Sequence, residues 1–440
     1  MVETSVVGEG HAQIIIEKIK IKSMVQYHKQ QLSNGLTVIV NEDRSTPMVS
    51  VNILYDVGSK DENPEKTGFA HLFEHLMFEG SKNVPDFDEA LQLAGGENNA
   101  FTTNDITNYY CTLPAQNIET VLWIESDRMF ALDINQEKLD VQKNVVIEEF
   151  KQRYLNKPYG DVWLLLHPLV YKVHPYQWDT IGKDISHIEK ASLDDVQNFY
   201  TTFYTASNAI LTISGNIKAD KAFQLVNKWF GDLPNKHRHR RQLPIEPPQT
   251  EKRILEVRRD VPNDVLYLVY RMTGKNLAND KGLKKFYTTA LLQDILSYGE
   301  SSRLHQLLVK EKKLCVSASA MITDTIEDGM FVIKAKVLSG VSIYEVEKVI
   351  LEELKSIQEK SVEEKELQKI KNAVETSNNI QEMMVSAKSF SLSYYTLLGN
   401  TDLINQEQEI IDSISIKDIQ QVAQELFQEK NTSVLYYLRK

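Results

Sequence analysis

Three side chains in one short stretch, His71, Glu74 and His75, have the types and spacing of a metal-dependent hydrolytic centre. The two histidines stand four residues apart. On a helix they project from one face, one turn from each other, as two imidazoles must to hold one zinc ion. Glu74 falls between them, beside the expected metal, where a general base that takes a proton from water is wanted.

A helix is the element that must present them. Thr67-Gly68-Phe69-Ala70 leads in, and Leu72, Phe73, Leu76, Met77 and Phe78 make the segment strongly apolar. Gly80 is the expected C-cap, and Ser81-Lys82-Asn83-Val84-Pro85 ends the helix. The order His-x-x-Glu-His inverts the commoner His-Glu-x-x-His of zinc peptidases.

A catalytic zinc takes three protein ligands and keeps one position open for water. Well beyond His75 in the chain, Glu148 and Glu149 close the helical stretch that starts at Val141. Adjacent helical residues point about 100° apart, so only one of the two can face the metal. Val145, Val146 and Glu149 are expected to define the inward face, with Glu148 on the flank.

The rest of the chain must build a frame for these groups. At 440 residues, two or more domains are expected. With 42% hydrophobic and 25% charged residues, the composition is that of a soluble globular protein, and the net charge of −11 argues against a nucleic-acid partner. The basic run His237-Arg238-His239-Arg240-Arg241 reads as part of a solvated connector. Cys111 and Cys315 have no metal-type partner nearby and are expected to be buried free thiols. No signal peptide is visible at the N-terminus and no apolar run approaches a membrane span, so a cytoplasmic location is expected, or a periplasmic one if an export signal precedes this chain.

Pro234, Pro244, Pro247 and Pro248 divide the chain nearly in half. The expected division is a zinc-bearing unit over 25–235, a linker over 236–252 and a second unit without a metal site over 253–440. The halves read as distant copies. Ser192 and Ser415 each open a helix with an aspartate three residues on. The asparagines that start the next strand-like runs, Asn208 and Asn431, follow these serines at the same spacing. Strand-like sequence also opens each half, at 36–55 and 254–270, with the alternation of paired antiparallel strands. Helical patterns follow at 118–132, 137–150, 344–360 and 362–379. The fold class is α+β, in two duplicated halves, each an antiparallel sheet with helices packed on one face. The helical segment 288–296 of the second half carries no His-x-x-Glu-His, so one metal site per chain is expected.

These motifs, in this order, resemble the M16 (pitrilysin/insulinase) family of zinc peptidases, in the branch of roughly this length that includes the mitochondrial processing peptidase and bacterial relatives. The resemblance rests on 71–75, on Gln142-Lys143-Asn144-Val145-Val146-Ile147-Glu148-Glu149, on 95–110, on His174-Pro175-Tyr176 and on Gly299-Glu300-Ser301-Ser302-Arg303-Leu304. It implies a zinc ion held by His71, His75 and Glu149, with Glu74 as the general base. It also implies a substrate-binding strand at Asn99-Ala100-Phe101, against which an extended peptide is laid. His167 and His174 each precede proline, lack ligand spacing to the motif and are set aside.

The chain departs from the family pattern at two places. Gln142 stands where the family usually has a glutamate that supports the metal site, so that support loses its charge. Active members also draw an arginine and a tyrosine from the C-terminal half, where this chain has Val309 and Val316. The resemblance therefore implies the catalytic subunit of a heterodimer, with a paralogous chain supplying Arg and Tyr. A non-catalytic assembly subunit and a self-sufficient homodimeric peptidase are the alternatives.

Overall fold

The computed structural model describes residues 24–236, 238–239, 241–275 and 280–440. The first half contributes strands β1 (His28–Gln31), β2 (Thr37–Glu42), β3 (Met48–Tyr55), β4 (Glu97–Thr102), β5 (Thr107–Pro114) and β6 (Ala209–Gly215). They form one sheet in the order β1-β2-β6-β3-β5-β4. The second half contributes β7 (Arg253–Arg259), β8 (Val265–Met272), β9 (Cys315–Ile322), β10 (Gly329–Val337) and β11 (Thr432–Arg439), in the order β7-β11-β8-β10-β9. From β2 onward the two orders are the same, so the duplication extends to topology. Both capping boxes form, Ser192 with Asp195 and Ser415 with Asp418.

The α+β architecture of two halves is as expected, with one refinement in the pairing. The two strands within 36–55 are not neighbours, and neither are the two within 254–270. The last strand of the half enters between them, parallel to the first and antiparallel to the second, as β6 does with β2 and β3 and β11 with β7 and β8.

Each half also completes the other's packing. In β3, Val49, Val51, Ile53 and Tyr55 face their own half's helices in an apolar core. The alternate residues Ser50 and Asn52 are equally buried. They face a helix of the second half, Val385–Leu398, whose serines complete their hydrogen bonds: Ser50 Oγ lies 3.0 Å from Ser389 Oγ, and Asn52 donates to Ser393 Oγ at 3.1 Å. In exchange, helix Val162–Val170 of the first half packs its Val162, Leu166 and Val170 against Val265, Tyr267 and Leu435 of the second sheet.

An ion pair between Lys388 and Asp43 joins the same two halves. Burial raises the Asp43 carboxyl, but Lys388 and Ser45 outweigh it and hold it down at about 2. A depressed carboxyl contributes stability above its unfolded value of about 3.9 and loses it as the pH falls through the folded one. Allowing for solvent screening, the pair is worth about 1 kcal/mol. In urea unfolding, the advantage of the native chain over Asp43→Asn should vanish as the pH falls from about 4 to about 2; an advantage that persists at the acid end assigns the stability elsewhere.

The connector is anchored rather than merely solvated. Arg241 donates to Asp56 Oδ1 at 2.8 Å and also contacts Asp61, and Arg238 pairs with Asp56. The Glu246 carboxylate accepts from the backbone N–H groups of Lys172, Val173 and His174 at 2.8–2.9 Å. His237 and Arg240 of the basic run lie outside the described residues. Cys111 and Cys315 are buried free thiols. Among the described residues, no helix is long and apolar enough to cross a membrane.

Candidate metal centre

Helix α1 (Phe69–Leu76) carries the motif. It starts at Gly68, whose φ of +89° is a left-handed conformation, and a Cβ there would come within 2.8 Å of the Ile181 carbonyl oxygen. The N-terminal amides are taken up by Glu62, which accepts from Gly68 N–H at 2.9 Å and Ala70 N–H at 2.8 Å. Trp178 Nε1 donates to the same carboxylate at 3.1 Å. Burial pushes Glu62 up to about 8, and these donors pull the other way. The helix stops earlier than expected: Met77 is its C-cap, and Gly80, at a φ of +91°, turns the chain three residues further on.

Helix α2 (Gln136–Phe150) brings the third group. Glu149 faces α1, while Glu148 is turned outward to pair with Lys151 at 2.7 Å. The expectation for Val145 is corrected, since it is 43% exposed. The buried stripe of α2 is Leu139, Val146 and Phe150, and Glu149 stands at its rim, next to Phe150 and one turn from Val146.

The three groups converge. Glu149 Oε2 lies 3.7 Å from His71 Nε2 and 3.5 Å from His75 Nε2. One donor atom from each residue falls within 4.8 Å of the others. Bonds of about 2.1 Å in a tetrahedron put neighbouring donors about 3.4 Å apart, so two imidazoles and a carboxylate in this arrangement fit a zinc ion. Burial pushes the His71 imidazole down to about 4, against the pull of Glu149, which keeps it in the neutral form that ligates. The hydrogen bond from His75 holds the Glu149 carboxyl below the ordinary range, with His71 and Arg153 adding to the effect against burial.

Glu74 projects from α1 toward the edge of the first sheet. Thr102 Oγ1 of β4 donates to its Oε2 at 2.6 Å. Burial raises the Glu74 carboxyl and this hydrogen bond lowers it, with a net shift upward, toward the range in which a carboxylate takes up a proton more readily. Asn99, Ala100 and Phe101 lie on β4, which pairs with β5 on one side and is the terminal strand of the sheet on the other. Ala100 packs toward the first half's core, and Phe101 toward Phe390 of the second half, ring centroids 5.4 Å apart.

The remaining sequence candidates fall as follows. Gln142 donates through Nε2 to Glu79, just beyond the end of α1, and its buried Oε1 has no partner among the described residues. His167 and His174 are buried elsewhere, each tied to Tyr176. Arg303 of the Ser-Ser-Arg-Leu landmark binds Glu353 and Glu366 and is a packing element. Val309 packs against the second half's core, and Val316 is 47% exposed on β9. Glu62, Thr102 and Arg153 were not singled out from sequence. Thr102 could have been found by extending the β4 alternation one step from Ala100; Glu62 has no local signal.

Comparison with known proteins places the chain in a family. Residues 37–181 match the Insulinase (Peptidase family M16) description, and residues 190–374 match the Peptidase M16 inactive domain. The chain belongs to the M16 peptidase family. The second match begins ahead of the proline-rich connector, at the capping-box helix of the first half. Zinc protease PqqE of Helicobacter pylori is 27% identical over 412 residues, covering 92% of this chain and 91% of that protein. Mitochondrial-processing peptidase subunit beta of Saccharomyces cerevisiae is 28% identical over 207 residues, 46% of this chain and 44% of that one. The crystal structure of a protease from Helicobacter pylori superposes with a TM-score of 0.87 at 26% identity, over 94% of this M16 chain and all of the other.

Proposed function

We propose that this M16 chain is a zinc metalloendopeptidase that hydrolyses extended or unfolded peptides, and that it acts as the catalytic subunit of a heterodimer. One observation supports it above the rest. The three-donor cluster of His71, His75 and Glu149 adjoins a carboxylate, Glu74, that is itself hydrogen-bonded to a terminal sheet strand. Ligand set, base and peptide-docking edge are then one connected unit.

His71, His75 and Glu149 would hold one zinc ion per chain. Bound there, zinc supplies Lewis acidity, activating a water and polarising a carbonyl. β4 binds the peptide as an added strand through backbone hydrogen bonds, which read an extended chain with little regard to side chains. Asn99 to Phe101 set its register. Glu74 accepts the proton of the attacking water and returns it to the leaving amine, while Thr102 orients the carboxylate. Gln142 supports the site through Glu79.

The heterodimer reading rests on Val309 and Val316. Neither side chain can hydrogen-bond an oxyanion, and the loss of one such donor typically costs about 10²–10³ in kcat. The test is hydrolysis of a quenched fluorescent peptide library by the zinc-loaded chain, alone and mixed with a paralogous chain carrying the Arg and Tyr. The mixture is expected to exceed the chain alone by about 10²-fold or more. Full activity from the chain alone would remove the partner from the proposal.

A further inference from the structure

The carboxylate of Glu149 is shared between two neighbours of different kinds. Its Oε2 faces the two imidazoles, and its Oε1 receives Nη1 of Arg153 at 2.6 Å. Arg153 follows Glu149 by four residues, in a turn of π-helix at Lys151–Leu155 that continues α2 and is closed by Asn156 N–H to the Lys151 carbonyl at 2.8 Å. Single π turns of this kind gather at functional sites. Arg153 is 72% exposed while Glu149 is 16% exposed. Ion pairs with so exposed a partner add little to folding stability, so the consequence of this one lies in the site.

A carboxylate can bind a metal through one oxygen or through both. With two imidazoles already in place, a second oxygen from Glu149 would raise the coordination number above four and crowd the position that water needs. We infer that Arg153 is a positioning residue that keeps Glu149 a one-oxygen ligand by holding Oε1 in a charge-assisted hydrogen bond, and so keeps the fourth position open. The inference rests on the metal reading of His71, His75 and Glu149. It concerns how that set is held, not which residues compose it.

Cobalt(II) in place of zinc gives the readout, because four-coordinate cobalt absorbs visible light far more strongly than five- or six-coordinate cobalt. The full chain and its Arg153→Ala and Arg153→Lys variants would be loaded with Co²⁺ and their spectra recorded. Zinc affinity by chelator competition and peptide hydrolysis would be measured in parallel. Arg153→Ala is expected to give a weaker visible band, zinc affinity within about tenfold of the native value, and a kcat about 10- to 100-fold lower with KM little changed. Arg153→Lys, which keeps a cation in reach, should recover most of the native spectrum. A role in folding alone would leave the spectrum untouched. Native and Arg153→Ala spectra that coincide overturn the inference, whereas a native chain that binds no cobalt overturns the metal reading beneath it.

Discussion

Replacing Glu74 with glutamine is expected to lower peptide hydrolysis by about 10²–10⁴-fold while leaving the bound zinc in place. Glutamine has nearly the same shape and can still accept from Thr102 Oγ1, so α1 and the edge strand keep their contact. His71, His75 and Glu149 are unchanged, so the donor cluster survives. What disappears is the capacity to hold a proton between attack and departure of the amine. The loss should fall on kcat, with KM little altered, because the substituted group acts on the water rather than on the docked peptide. Zinc content by elemental analysis and kcat on a quenched peptide, measured on one preparation, check both halves of the expectation. Native turnover in the zinc-replete variant would end the general-base assignment.

How much of this was legible in sequence follows the distance over which each signal acts. The metal motif is local: four residues and one helical turn settle that His71 and His75 share a face. The capping boxes at Ser192 and Ser415 are local as well, and both form. Helix limits at 118–131 and 343–360 came within a residue or so of their sequence patterns. Strand order is not local. Nothing in 36–55 says that β6, from the far end of the same half, will lie between its two parts, so the neighbours of β2 and β3 were not readable.

The faces of strands and helices were legible only where one side meets water. Alternation in β3 reads as one apolar and one polar face, and the polar face would ordinarily be left to solvent. Here a helix rich in serine, from the other half, covers it, and Ser50 and Asn52 find their partners, Ser389 and Ser393, near the opposite end of the chain. Arg241 was misplaced in the same way, because its partners Asp56 and Asp61 belong to another element. For α2, the four-residue spacing from Val145 to Glu149 suggested a common inward face. Glu149 lies at the edge of the buried stripe, so Val145 on its far side looks outward. Glu62 and Arg153 belong to the site through contacts that have no motif.

The largest effect is expected from the proposed ligands themselves. His75→Ala and Glu149→Ala should each reduce zinc binding to the level of adventitious metal and hydrolysis to the uncatalysed background. Bound zinc brings the pKa of water from 15.7 to about 7, so its loss removes an attacking group by roughly eight orders of magnitude at neutral pH, an effect that no neighbouring side chain can replace. Neither variant should lose much folding stability of its own. Alanine at 149 leaves the Arg153 guanidinium at the surface without its partner, a small change. His75 is also partly exposed, at 25%, and its removal opens no cavity in the apolar core. Both chains should therefore fold and show native circular dichroism, with melting changed chiefly by the lost stabilisation from bound metal. Isothermal titration with Zn²⁺ and a peptide assay on the same samples give the result. A variant that still binds one zinc tightly and turns over peptide would show that the ion is held by another set of groups, and the assignment of Glu74 would have to be rebuilt around them.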